Sequence, residues 1–421
     1  MPTMLRTPRD GPLWRDLPIA LAPAALAAGG VVPPATPAPD PPRVLSSWHT
    51  TTAAMPLAVI GAVAVEVDGW IHLLGGLDRR FEATAAIQTR SPREGWRPIG
   101  DRLATPRAEA SGVRLADGRV VVLGGFSGSL SNPAWHDDGE VLDPTIAGSS
   151  VELPPFGESL EGHSSTLLPD GSVLVVAGRT ARRLDPNAPP DTAWGPAGAL
   201  PESRRGHAAV PIDDRRVLIA CGTDPAADDV PPWRILELPD DPALPVKVLD
   251  EVPTTESLLS PSLRDVAAAG DPETSAILLV GGVDPSTRRT VRETWWIEPE
   301  SGETRPGMPL PIERGAARVH LVPTEDGIAM LGGEWRSPEA RGPADLAMLV
   351  SGGATADRRR GLAPLPVSST RRMRVLGREV QLLGGYRFRS PAEAAATGLP
   401  AGVHFDTRRY RLSLAPLGRG D

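Results

Sequence analysis

The stretch DGWIHLLGG (68–76) decides the fold. Asp-Gly sits where two apolar strands turn tightly, because Gly supplies the positive φ that such a turn requires. The apolar run that follows ends in a glycine doublet. The same unit returns six more times, as VVVLGG (120–125), VLVVAG (173–178), VLIACG (217–222), ILLVGG (277–282), IAMLGG (328–333) and VQLLGG (380–385). Successive final glycines are separated by 49, 53, 44, 60, 51 and 52 residues. A period near fifty, built from short strands, predicts one repeat array where 421 residues would otherwise suggest two or three domains.

The grammar around each run supports this. Asp117-Gly118, Asp170-Gly171, Asp213-Asp214 and Asp326-Gly327 precede other runs, and GDPETS (270–275) takes that place in the fifth unit. Upstream lies a strand such as HSSTLL (163–168) or HAAVPI (207–212). Downstream comes a third strand, as in GEVLDP (139–144), TWWIEP (294–299) or VHFD (403–406). A fourth is marked by Trp96-Arg97-Pro98, by Trp194-Gly195-Pro196 and by 410–414 at the end. Four antiparallel strands make one blade, so the expected fold is all-β, a seven-bladed β-propeller over 44–421. Either the last strand completes blade seven alone or the 44–48 segment joins it. Counting back fifteen residues from each final glycine gives Gly61, Ala110, His163, His207, Ala267, Arg318 and Thr370.

Composition narrows the function classes. The net charge is −8, so no nucleic-acid partner is expected, since such proteins are normally basic. Of 44 basic residues only Lys247 is a lysine. With 44 Gly and 48 Pro, this reads as a GC-rich, bacterial coding bias. One cysteine, Cys221, excludes an internal disulfide framework and a thiolate zinc centre. No run of eighteen apolar residues predicts a transmembrane helix. Residues 1–28 read as a signal peptide or disordered leader, with Arg6, Arg9 and Arg15 before an apolar stretch and Ala25-Leu26-Ala27 as a small-x-small site. The Pro/Ala-rich segment 29–43 reads as a linker. The expected location is secreted, periplasmic or cell envelope, with the cytoplasm as the alternative.

The glycine doublets, the Asp-Gly hairpins, the spaced tryptophans and the lead-in Arg205-Gly206-His207 resemble the kelch-repeat family over about 375 residues. Ala177-Gly178 and Cys221-Gly222 depart from full doublets. The resemblance implies a propeller whose innermost strands line a central channel, and little about activity, because propellers host unrelated functions. Copper-radical oxidases share the scaffold. By resemblance they need a Cys–Tyr cross-link, a second Tyr and two His, and here only Cys221, Tyr386 and Tyr410 are in supply beside seven histidines.

No catalytic set is legible. There is no GxGxxG loop, nucleophile elbow, sialidase Asp box or calcium-loop spacing. Asp137-Asp138, Asp213-Asp214, Asp228-Asp229 and Asp240-Asp241 read as solvated turns. No cofactor or metal is expected. The candidate ligand-binding residues are Arg107, Arg204, Arg264 and Arg314, which recur just before the innermost strands as an arginine ring able to grip an anion. His163 and His207 share one repeat position, and Trp135 and Trp233 lie in the long loops 127–138 and 224–260. A third long loop spans 387–402. The expected function is non-catalytic recognition of a protein or carbohydrate by a monomer, through the loop face or the channel mouth. The alternatives are a sugar- or aldehyde-acting enzyme of oxidase or epimerase type, and a purely structural or adhesion module.

Overall fold

The computed structural model describes residues 48–389 and 402–413, apart from 52–53, 92, 98–100, 224–229, 250–258, 273, 325–326, 340, 352–357, 362–372, 377–378, 384–385 and 406–408. The leader, the linker, the seventh doublet, part of the loop 224–260 and most of the loop 387–402 lie outside the described residues. Nearly every described element is a strand, and no described helix is long and apolar enough to cross a membrane.

The chain is a β-propeller. Six successive sheets between Val63 and Gly361 are its blades, and the run ending in the glycine doublet is the second strand of each. The innermost strands touch in series: Val63–Val67 with Ser111–Arg114, then Ser164–Leu167, Ala208–Pro211, Ala267–Gly270 and Ala317–Thr324. The cores lie between blades. Val121 and Leu123 of blade two meet Val173 and Val175 of blade three, and Leu278 and Trp296 of blade five meet Met330 and Leu346 of blade six. Both faces of a blade are thus buried, which is why the second strands are apolar at every position rather than alternate ones.

Blade three looks one strand short, because Val173–Leu184 is a single element. Eleven residues of extended chain would span about 36 Å, yet Arg183 donates to the Ser172 hydroxyl at 3.3 Å. The element therefore reverses, at Gly178 (φ 54°), and supplies two strands. Ala177 is not left-handed, which explains why that doublet tolerates alanine. In blade one Asp68 and Gly69 are both left-handed (φ 51° and 81°), the tight hairpin expected from Asp-Gly.

A further four-stranded sheet has the order Trp48–Thr51, Arg409–Ser413, Glu379–Leu383, Met373–Leu376. Its innermost strand touches Val63–Val67 of blade one. This corrects two expectations. The 403–406 segment is not a third blade strand: Gly402–Phe405 pairs with Tyr386–Arg389 as a separate hairpin directly after the doublet. The true third strand is Arg409–Ser413, and the fourth comes from the N-terminal side, with Thr50 opposite Tyr410.

Candidate functional site: the channel mouth

The innermost strand of each of the six blades has at its start a residue in the left-handed region. These are Gly61, Glu109, Gly162, Gly206, Asp265 and Arg318, with φ between 54° and 65°. Backbone N–H groups join them across blades, Glu109 to the Gly61 carbonyl (3.0 Å), Gly206 to Gly162 (2.8 Å) and Arg318 to Asp265 (2.9 Å). They form a collar around one end of the channel. Three glycines suit this geometry, whereas a side chain in it costs about 1–2 kcal/mol. Glu109, Asp265 and Arg318 bear that cost, and strain of this kind concentrates at ligand sites.

The three charged collar residues converge. Arg318 donates through Nη1 to Glu109 (3.4 Å) and through Nη2 to Asp265 (3.1 Å), and its Nε lies 3.7 Å from Glu334. Glu109 leads into blade two and Arg318 into blade six, so their ion pair crosses the ring instead of joining neighbours. Arg336 completes the cluster, with Asp265 at 3.2 Å and a close contact to Glu334. Burial pushes the Asp265 carboxyl up, but Arg318 and Arg336 outweigh it and hold the group below the usual carboxylate range. Burial likewise disfavours the Arg318 charge, and Asp265, Glu334 and Glu109 more than restore it. Asp265 and Arg318 are therefore both ionised at neutral pH, within a cluster of mixed charge at the mouth.

The expected arginine ring does not form. Arg107 and Arg204 are buried braces. Arg107 bonds Asp138 (2.6 Å), Glu140 (3.2 Å) and the Gly124 carbonyl (2.9 Å). Arg204 pairs closely with Glu202 and bonds the carbonyls of Cys221 (2.8 Å) and Pro231 (3.1 Å). They stand two residues before the collar. In blades five and six that place belongs to Leu263 and Ala316, whose carbonyls receive the N–H of Gly222 and Gly282. Arg264 and Arg314 are thus not their equivalents: Arg264 is half-buried beside the collar, and Arg314 is exposed over the Trp335 ring at 4.3 Å.

His163 and His207 do share one position, and both point between blades. Ser111 of blade two meets His163 Nε2 at 2.7 Å, and Ser164 of blade three meets His207 Nε2 at 2.8 Å. Burial lowers the His163 pKa to about 4. Burial, with the charges of Arg204 and His163, lowers that of His207 to about 3. Both are neutral staples at pH 7. Their contribution to stability is complete above the unfolded value of 6.5 and is lost as pH falls toward 4 and 3. The unfolding free energy should therefore fall between pH 6.5 and 4, and His163→Gln with His207→Gln should flatten that slope in denaturant titrations.

Trp233 is core, 1% exposed and bonded to the Thr304 hydroxyl. Trp135 does lie on the loop face, half-buried edge-on against Phe126 on the hairpin after the blade-two doublet. Cys221 is sealed against the Ser260 carbonyl, and burial pushes its thiol up to about 12. It sits in blade four, whereas Tyr386 and Tyr410 lie on strands after 373. An open cleft lined by Asp213, Asp214, Arg215, Arg216 and Glu237 belongs to the hairpin face, at the opposite end of the channel.

Fixed counting from the final glycine missed Glu109, Asp265, Glu334 and Arg336 and found Arg318 only as a repeat position. The distance from collar to final glycine varies by one or two residues among blades. Aligning instead on Gly61, Gly162 and Gly206 exposes charged residues in three glycine positions.

No family model matches the chain, and no curated protein matches it. Among solved structures it is similar to the structure of YjhT, with 14% identity, a TM-score of 0.52, and coverage of 73% of this chain and 99% of that one. At that identity the likeness shows the propeller fold alone.

Proposed function

We propose that this chain is a non-catalytic recognition propeller that binds a protein or glycan partner on its loop face, around the channel mouth. The observation that carries the reading is the charged collar: three strained residues, Glu109, Asp265 and Arg318, occupy positions where glycine suffices and meet across the ring. Structural need does not call for charge there, because blades one, three and four build the same turn with Gly61, Gly162 and Gly206. The loops after the doublets, including the Trp135 hairpin and Glu334–Arg336, open on this face. We read the ring as seven blades of kelch type. The sheet closed by Trp48–Thr51 supports the seventh, and the doublets with their Asp-Gly hairpins support the family. The leader, read as an export signal, supports a location in the cell envelope or outside the cell, with the cytoplasm as the alternative, and we read the protein as a monomer.

Glycan and peptide arrays test this. The probes are wild type, a loop-face variant carrying Trp135→Ala and Arg318→Gln, and a hairpin-face variant carrying Arg215→Gln, an exposed residue paired, among the described residues, with exposed Asp240. A ligand kept by the hairpin-face variant and lost by the loop-face variant supports the reading. Loss on the hairpin face alone, or chemical turnover of a bound sugar, overturns it.

A further inference from the structure

Glu109 and Arg318 belong to blades that are not neighbours. They stand 209 residues apart in the chain, and Arg318 Nη1 meets the Glu109 carboxylate at 3.4 Å. The arc from blade two to blade six that avoids blades three to five runs over blade one and the further sheet. The pair follows that arc, because a Cβ added at Gly61, the collar residue of blade one, would collide with the Glu109 carboxylate. Asp265, at 3.1 Å from Nη2, steadies the guanidinium that faces Glu109. Side-chain exposures of 16% for Glu109 and 24% for Arg318 leave the pair less screened by salt than one on the open surface.

That arc contains the join of the ring. Among the six blades, neighbours are consecutive in the chain, and backbone bonds reinforce them. Gly76 donates to the Arg107 carbonyl (2.8 Å), Gly222 to Leu263 (2.7 Å) and Gly282 to Ala316 (2.9 Å). Blade one is linked to the further sheet differently. The chain reaches that sheet through Trp48–Thr51, a four-residue strand at its outer edge, held by the ladder with Arg409–Ser413. A short strand at a sheet edge opens locally at low free energy. Once this ladder opens, the chain no longer fixes the further sheet beside blade one.

We infer that Glu109 and Arg318 form a clasp across the join of the ring. The clasp is anchored in blades two and six, so it holds their spacing while the ladder is open and lets Trp48–Thr51 reseat in register. Without it the gap widens, and the open state gains the conformational freedom that closing a long loop removes. The left-handed backbone of Glu109 (φ 60°), which costs about 1–2 kcal/mol, aims its carboxylate across the ring. The clasp goes beyond the recognition reading and does not depend on what the mouth binds. A ligand that drew either charge away would loosen the join, which couples the mouth to ring opening.

The test is hydrogen exchange of the full chain, read by mass spectrometry. Glu109→Gly gives blade two the residue that blades one, three and four use, so the turn is kept and the charge is lost. Glu109→Gln loses the charge and keeps the backbone cost. Both should raise exchange in Trp48–Thr51 and Arg409–Ser413 about tenfold. Residues 173–176 of blade three and Arg216–Ala220 of blade four should keep their rates. Glu109→Gly should leave the denaturant midpoint nearly unchanged, because relief of strain offsets the lost pair. Glu161→Gln is the control. It breaks the pair with Arg205 at 3.1 Å, which joins the neighbouring blades three and four, and should leave the join as it is. Unchanged exchange at the join in either Glu109 variant overturns the inference. So does a rise of equal size in every blade, which marks a general loss of stability, or a rise at the join in Glu161→Gln.

Discussion

Arg107→Met is expected to lower the unfolding free energy by about 3–5 kcal/mol, seen as a lower denaturant midpoint at unchanged slope. The substitution keeps much of the side-chain volume, so packing is not the main loss. What it strands is Glu140, which is fully buried and whose partners are Arg107, the Ala104 N–H (2.9 Å) and the Ser150 hydroxyl (2.6 Å). Two neutral donors do not replace a cation beside a buried carboxylate. The pair itself need contribute little net stability, since its attraction mostly offsets the cost of taking both charges out of water. The damage comes from removing one partner alone. Glu140→Gln added to Arg107→Met should therefore recover part of the loss, and a double-mutant cycle measures how much. A single-variant loss under about 1 kcal/mol, as at an ordinary surface site, would contradict the brace. Arg107 stands two residues before Glu109, so the same variant should loosen the blade-two side of the collar.

That pairing shows where sequence reading reached and where it stopped. The repeats were legible because each doublet serves the same contact in several blades. The hairpins were legible because left-handed backbone has a glycine signature. The braces were visible as recurring arginines, but the burial of Arg107 was not, because Asp138 and Glu140 lie more than thirty residues downstream, at the start of the third strand. The collar was hidden by register. Loops between its residues and the doublets differ in length, so a fixed count landed on Ala110 and Ala267 instead of Glu109 and Asp265. Ring closure was undecidable because strand pairing between 48–51 and 409–413 leaves no periodic trace. Arg264 and Arg314 looked like ring members, and only the slipped register of blades five and six shows that they are free of that duty.

Gly281→Ala is the second large effect, expected to cost about 3 kcal/mol. Gly281 is left-handed (φ +59°), and an added Cβ would lie 2.0 Å from the Ala316 carbonyl oxygen and 3.0 Å from its carbon. The backbone conformation alone costs an alanine about 1–2 kcal/mol. Relieving the contact means moving Ala316, whose carbonyl accepts the Gly282 N–H at 2.9 Å and sews blade five to blade six. Weakening that bond adds about 0.5–1.5 kcal/mol. The two causes separate experimentally. Gly171 is also left-handed (φ +85°), but nothing lies within 4 Å of its Cβ position, so Gly171→Ala should show only the backbone cost. Cys221 holds φ 61° at the first doublet position of blade four, so conformation by itself does not forbid a side chain there. If chemical denaturation gives Gly281→Ala and Gly171→Ala the same loss, the doublet is merely a turn. If Gly281→Ala loses distinctly more, the doublet glycines are the seams of the ring. The carbonyl that Gly281 protects is two residues from Arg318, so a strained seam there should also disturb the charged mouth.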